Sequence, residues 1–179
     1  MADLAGKNVA VMATDYFEEA ELTEPVKALR EAGAKVEIIA PKAGEIKGLK
    51  HVELGKSVRV DKTLDEANAD DYDALVLPGG AINADHLRME EKARQFVIKM
   101  MDEQTKPTAV ICHAPWMLVS AHLARGKKLT SFFTIQDDMR NAGADWVDEQ
   151  VVIDGNLITS RNPDDLPAFN KAIISAIGG

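Results

Sequence analysis

Four short apolar runs recur along this chain: "KNVAVMA" at 7–13, "KVEIIA" at 35–40, "DALVLPGG" at 73–80 and "PTAVIC" at 107–112. Each is too short for an ordinary helix, and each ends at a proline, a glycine pair or an acidic or cysteine-bearing turn. An apolar run that barely alternates belongs to a strand covered on both faces. Strands of that kind, separated by helical stretches, assemble into a parallel sheet with helices packed on either side. The expected fold is α/β: a doubly wound, mostly parallel sheet in a three-layer sandwich.

The intervening stretches agree with that frame. "TEPVKALREAG" places Val26, Leu29 and Arg30 at helical spacing and stops at Gly33, a residue suited to a helix end. Residues 42–60 read as loops and short hairpin strands, with "SVRV" alternating at period two. "MEEKARQFVIKMMDEQ" is an amphipathic helix with Ala93, Phe96, Val97, Met100 and Met101 on one side. "PWMLVSAHLA" starts a helix at Pro115, and "TIQDDMRNAG" a shorter one that ends at Gly143. Asp154-Gly155 lies between two alternating runs and predicts a hairpin. A last helix follows "PDDLPAF", with Asp164 as its cap. No repeat, low-complexity tract or linker interrupts the pattern, so residues 1–179 are expected to form a single domain.

Composition excludes several function classes. The 179 residues carry a formal net charge of -8, with a pI near 5.0, whereas nucleic acid and anionic membrane surfaces call for basic patches. Neither partner is expected. The opening "MADLAGKNVAVMA" lacks a basic segment followed by a long apolar one, and no apolar run nears the roughly 20 residues that span a bilayer. A single cysteine forms no internal disulfide. The expected location is the cytoplasm. With one cysteine and histidines scattered at 51, 86, 113 and 122, no metal-ligand spacing is present, and neither a metal nor a cofactor is expected.

Ligands in open α/β sheets bind beyond the carboxyl ends of the strands. Three stretches sit at such ends here: "DYFEEAEL", "PGGAINADHLR" and "CHAPW". A lone cysteine is most often a buried small hydrophobe. Cys112, however, ends a strand and directly precedes a helix, the sharp elbow that exposes hydrolase nucleophiles. Amides at the following helix start favour a thiolate. His113 comes next; neighbours at a turn usually point apart, yet its backbone N–H is placed for an oxyanion, with Gly80 as the second donor. Of Glu18, Glu19 and Glu21, the pair Glu18 and Glu21 would share a face if the segment is helical, and either carboxyl could reach the thiol. The plain alternative is a solvated acidic helix start.

These blocks resemble a known family. "DYFEEAELTEPVKALREAGAKVEIIAPKAG", "YDALVLPGG", "AVICHAPWMLVSA", "RGKKLTS" and "DDMRNAGADWVDEQVVIDGNLITSRNPDDLPAF" follow, in order, the pattern of the PfpI intracellular-protease group of the ThiJ/PfpI superfamily, which is glutamine-amidotransferase-like. The resemblance implies a flavodoxin-like sandwich, a nucleophilic Cys112 and a neighbouring His113. It implies a carboxyl contact to the thiol from Glu21, with Glu18 as the near alternative. It also implies an acidic residue supplied across a subunit interface, which maps to Asp85, and assembly as a homodimer or larger homo-oligomer. Two departures stand out: Ala114 occupies a position that is commonly glycine, and the loop from Gly80 to Asp85 is slightly longer. Asp85 could otherwise cap a helix starting near His86.

Three functions from different classes follow. The first is a stress-response hydrolase in which Cys112 attacks small reactive carbonyls or their protein adducts, in the manner of a glyoxalase or deglycase. The second is an intracellular cysteine peptidase acting on peptide substrates. The third is a non-enzymatic oxidative-stress sensor or chaperone in which Cys112 is oxidised, although no second cysteine is present to resolve a disulfide.

Overall fold

Val9 and Val11 of the first apolar run face one side of a sheet while Ala10 and Met12 face the other, and all four are fully buried. The computed structural model describes residues 2–179. Its first half comprises β1 (Asn8–Met12), β2 (Phe17–Glu18), α1 (Glu19–Glu31), β3 (Lys35–Ala40), β4 (Glu45–Lys50), β5 (Glu53–Arg59), β6 (Lys62–Thr63), β7 (Ala74–Leu77) and α2 (Ala81–Leu87). The second half comprises α3 (Glu91–Asp102), β8 (Thr108–Ile111), α4 (Trp116–Ser120), β9 (Lys128–Leu129), α5 (Gln136–Asn141), β10 (Asp145–Trp146), β11 (Val151–Asp154), β12 (Leu157–Ser160) and α6 (Leu166–Gly178).

The central sheet has seven strands in the order β11-β12-β8-β7-β1-β3-β6. Every pairing is parallel except β11 with β12 at the edge. The chain winds from β1 outward through β3 and β6, then returns to the other side of β1 with β7. Strand order therefore reverses between β1 and β7, the place where such sheets open a crevice. Helices α1 and α6 cover one face through Leu22, Val26, Leu29, Phe169 and Ile173. Helices α2 to α5 cover the other through Leu87, Phe96, Val97, Met117, Leu118 and Met139. Fully burying a side chain such as Phe169 stabilises by roughly 1.5–3 kcal/mol.

Local chemistry explains the element ends and corrects three expectations. Helix α1 starts at Glu19 rather than near Thr23, so Pro25 lies inside it. It ends with Gly33 at φ +100°; the Gly33 N–H donates to Arg30 and the Ala34 N–H to Leu29, closing the last carbonyls. The β11–β12 turn consists of Gly155 and Asn156, one residue beyond the predicted pair, because Asp154 already pairs with Leu157. Asp164 is not a cap. Asn162 accepts its N–H at 3.0 Å, and the buried Asp165 next to it holds Arg161 through two bonds of 2.8 and 2.9 Å. Residues 45–59 form a hairpin of β4 and β5, which β2 extends into a small sheet beside the reversal point.

Candidate active site

Cys112 directly follows β8 and adopts φ +65°, a left-handed conformation that a residue with a Cβ rarely takes. Its neighbours hold it there: the Cys112 N–H donates to Ser160 at 3.1 Å, and its carbonyl accepts the Phe132 N–H at 2.7 Å. Backbone strain maintained by flanking strands is a recurring property of reactive elbows. The residue is only 6% exposed, yet it lines a cleft of about 700 Å³ beyond the carboxyl ends of β1, β7 and β8.

Glu21, in the first turns of α1, is fully buried beside it. Its Oε2 accepts the Gly79 N–H at 2.8 Å, while Oε1 has no hydrogen-bond partner. Gly79 is required by close approach, since a Cβ there would run into the Glu21 carboxyl and lie 2.6 Å from Cys112 Cβ. Burial pushes the Glu21 carboxyl up to about 8; the Cys112 thiol and the Gly79 N–H pull it down, and the charge of Glu18 adds to the rise. At neutral pH Glu21 holds its proton. Glu18, by contrast, ends β2 outside the helix, and its carboxylate accepts the His51 N–H at 3.2 and 3.3 Å. The two glutamates do not share a helix face; Glu21 is the one brought to the thiol.

Burial also pushes the Cys112 thiol up, and a charged Glu21 would add to this; the backbone N–H groups of Gly80 and His113 pull it down. The expectation of a thiol lowered by a helix start is therefore not met. The reason is structural. Helix α4 spans five residues, starts only at Trp116, and leaves the sulfur enclosed next to a carboxyl. The Gly80 and His113 backbone N–H groups both act on the sulfur. Gly80 sits at φ +91°, where a Cβ would meet Glu18 N at 2.6 Å and Tyr16 O at 2.7 Å.

His113 departs from expectation as well. Its Nδ1 lies 3.2 Å from Cys112 Sγ, so the two adjacent side chains converge. The ring stacks on Phe132 at 4.7 Å, with Trp116 edge-on at 5.3 Å, and these aromatics turn it back over the elbow. Burial holds its pKa below the ordinary value, favouring the neutral imidazole. Nε2 faces Thr134 Oγ1 at 3.5 Å. Asp85 lies in the middle of α2, exposed and away from the cleft lining of its own chain. It caps nothing, since α2 begins at Ala81 after Gly80.

Several site residues escaped the sequence reading. Tyr16, His51, Phe132 and Asn162 line the cleft from loops. Asn83 is fully buried on α2, where its side chain accepts the Thr14 N–H at 2.7 Å and donates to Pro78 and Gly79 at 3.1 and 2.9 Å. It thereby clamps the loop after β1 to the turn that carries Gly79 and Gly80. The "PGGAIN" run was the only signal available, and an asparagine four residues past a glycine is unremarkable by itself. Among the described residues, no cluster of His, Cys, Asp and Glu is arranged to hold a metal ion, and no helix is long and apolar enough to cross a membrane.

Comparison with known proteins is concordant along the chain. The pattern of the DJ-1/PfpI family matches residues 7–176. General stress protein 18 of Bacillus subtilis is 42% identical over 173 residues, covering 96% of this chain and 98% of that one. The Deglycase PfpI of Pyrococcus furiosus is 44% identical over 169 residues, covering 94% and 98%. Among solved structures, a two-domain protein of Anabaena variabilis with DJ-1/ThiJ/PfpI-like and ferritin-like domains superposes with a TM-score of 0.90 at 40% identity. The match takes in 96% of this chain and 48% of that one.

Proposed function

The chain belongs to the DJ-1/PfpI family, and from that premise we propose that it hydrolyses amine adducts of small reactive carbonyls through Cys112, a deglycase-type reaction. The observation that carries this reading is the pairing of a buried thiol with a carboxyl whose pKa is about 8. A group of that pKa both gives and takes a proton near neutrality, which carbonyl chemistry needs and a plain thiol site lacks.

The reaction proceeds in balanced steps. His113 Nδ1, 3.2 Å from Sγ, takes the thiol proton. The sulfur bonds to the adduct carbon that bears the nitrogen; the C–N bond breaks, its electron pair stays on nitrogen, and His113 returns the proton to the departing amine. The remaining fragment is a hemithioacetal whose oxygen lies at the Gly80 and His113 amides. Glu21 gives its proton to the neighbouring carbonyl oxygen while neutral His113 takes the proton of the hydroxyl-bearing carbon, leaving an enediol; His113 then returns that proton to the former carbonyl carbon and Glu21 recovers one from the first hydroxyl, which yields a thioester. Water cleaves the thioester and restores the thiol. For a methylglyoxal adduct the sum is adduct plus water giving free amine plus lactate, with no net oxidation.

The test is lactate release from methylglyoxal-treated N-acetyl-lysine by wild-type protein and by Cys112→Ser. The substitution is nearly isosteric, and activity is expected to fall by at least about a hundredfold, as nucleophile removal does. Retention within about tenfold would overturn the nucleophile. Cleavage of unfolded casein without lactate release would assign the same residues to peptide hydrolysis.

A further inference from the structure

The His113 ring meets the sulfur because two aromatics turn it back over the elbow, and one of them, Trp116, is itself held from outside the cleft. Resting on the reading of Cys112 and His113 as the reacting pair, we infer that Asp138 is a positioning residue of this reaction. Acting through Trp116, it keeps the His113 imidazole over the thiol.

Three helices converge on the Trp116 indole. From the first turn of α5, Asp138 Oδ2 accepts the indole Nε1–H at 2.8 Å. From the end of α2, the Arg88 guanidinium lies over the indole at 5.2 Å. Arg88 is fixed in turn, since its Nε donates to Ser120 Oγ of α4 at 2.8 Å. The Trp116 backbone N–H donates to the His113 carbonyl at 3.1 Å, so the two residues share one short turn. A cation on the ring and an ionised acceptor at its N–H together set the plane and rotation of the indole. That plane meets the His113 ring at 65° with centroids 5.3 Å apart, which leaves the imidazole packed between fixed neighbours.

Asp138 has no competing partner. Its carboxylate is exposed, yet among the described residues the indole N–H is its one side-chain contact of hydrogen-bond or ion-pair length. Arg140, two residues on, turns instead to Asp137 at 3.6 Å and to Gln136 at 2.7 Å. Neither Asp138 nor Trp116 lines the cleft, so neither meets the substrate. Their loss therefore belongs to the proton-transfer step and not to substrate binding. A base displaced by about 1 Å can lose a large part of its rate, up to about a hundredfold.

The test follows lactate release from methylglyoxal-treated N-acetyl-lysine, together with the His113 Cε1–H resonance, assigned by its absence in His113→Gln. Asp138→Ala is expected to lower kcat about tenfold while KM stays within about twofold. It should also move the resonance away from the ring-current position that Trp116 and Phe132 impose. Asp138→Asn keeps an oxygen acceptor for the indole and should restore most of both. Trp116→Phe lacks the N–H, and in that background Asp138→Ala should change neither readout further. An undiminished effect of Asp138→Ala in that background would overturn the route through Trp116. Lower thermal stability with kcat and the resonance unmoved would reduce Asp138 to a structural contact and overturn its role. Absence of lactate release from the wild type would overturn adduct hydrolysis, and the resonance shifts would then decide the positioning by themselves.

Discussion

At the scale of the residue, the site is governed by where one proton resides. Glu21 ordinarily ionises near 4.5 but is held up to about 8. A carboxyl that keeps its proton when folded and loses it when unfolded makes stability fall as pH rises between those two values, at about 1.4 kcal/mol per pH unit, and changes nothing outside them. Glu21→Gln keeps an acceptor for the Gly79 N–H, puts an amide in place of the orphan Oε1, and removes the titration. The thermal midpoint of this variant should exceed that of the wild type by a margin that widens from about pH 5 to about pH 8. A margin constant across that range would show that Glu21 ionises normally. The same substitution removes a nearby negative charge, so the pH midpoint for alkylation of Cys112 by iodoacetamide should move down. An unchanged midpoint would separate the carboxyl from the thiol. Spacing alone left Glu18 and Glu21 equivalent; burial against Gly79 distinguishes them, and burial is a tertiary property.

At the scale of the element, the reactive geometry depends on connections between loops more than on any one helix. Helix α4 is too short to activate the thiol by itself, and the elbow is held instead by strand β12 and by Phe132. On the other side, Asn83 joins the loop after β1 to the turn after β7. Asn83→Ala leaves a buried N–H and two carbonyls without their side-chain partner, and should cost about 2–4 kcal/mol in urea unfolding. Activity should drop along with stability, because Gly80 loses its anchor. A loss below about 0.5 kcal/mol would show that those groups find other partners. No periodicity marks Asn83, since its role lies in what two distant loops present to it.

At the scale of the whole molecule, Asp85 poses the remaining question. It is exposed on α2, and within one chain Thr134 is the neighbour of His113 Nε2. We propose that a second copy supplies an Asp85 carboxylate to that nitrogen. A shared site predicts that Asp85→Ala is impaired and that mixing it with Cys112→Ala under subunit exchange restores activity. Random pairing of a dimer with two sites would return about a quarter of the wild-type rate. No recovery, with exchange confirmed by mass, would confine Asp85 to the surface of its own chain.

What the amino-acid order determined by itself was the alternation of buried strands with amphipathic helices, and with it the doubly wound sheet and the elbow at Cys112. Such features follow from periodicity and from residues that stop or turn the backbone, both local properties. Tertiary structure decided which glutamate meets the sulfur and whether the His113 ring turns toward it. It also decided that the thiol pKa rises rather than falls. Each of these depends on desolvation and packing by segments far apart in sequence: Gly79 against Glu21, Phe132 and Trp116 against His113, and Ser160 against the Cys112 backbone.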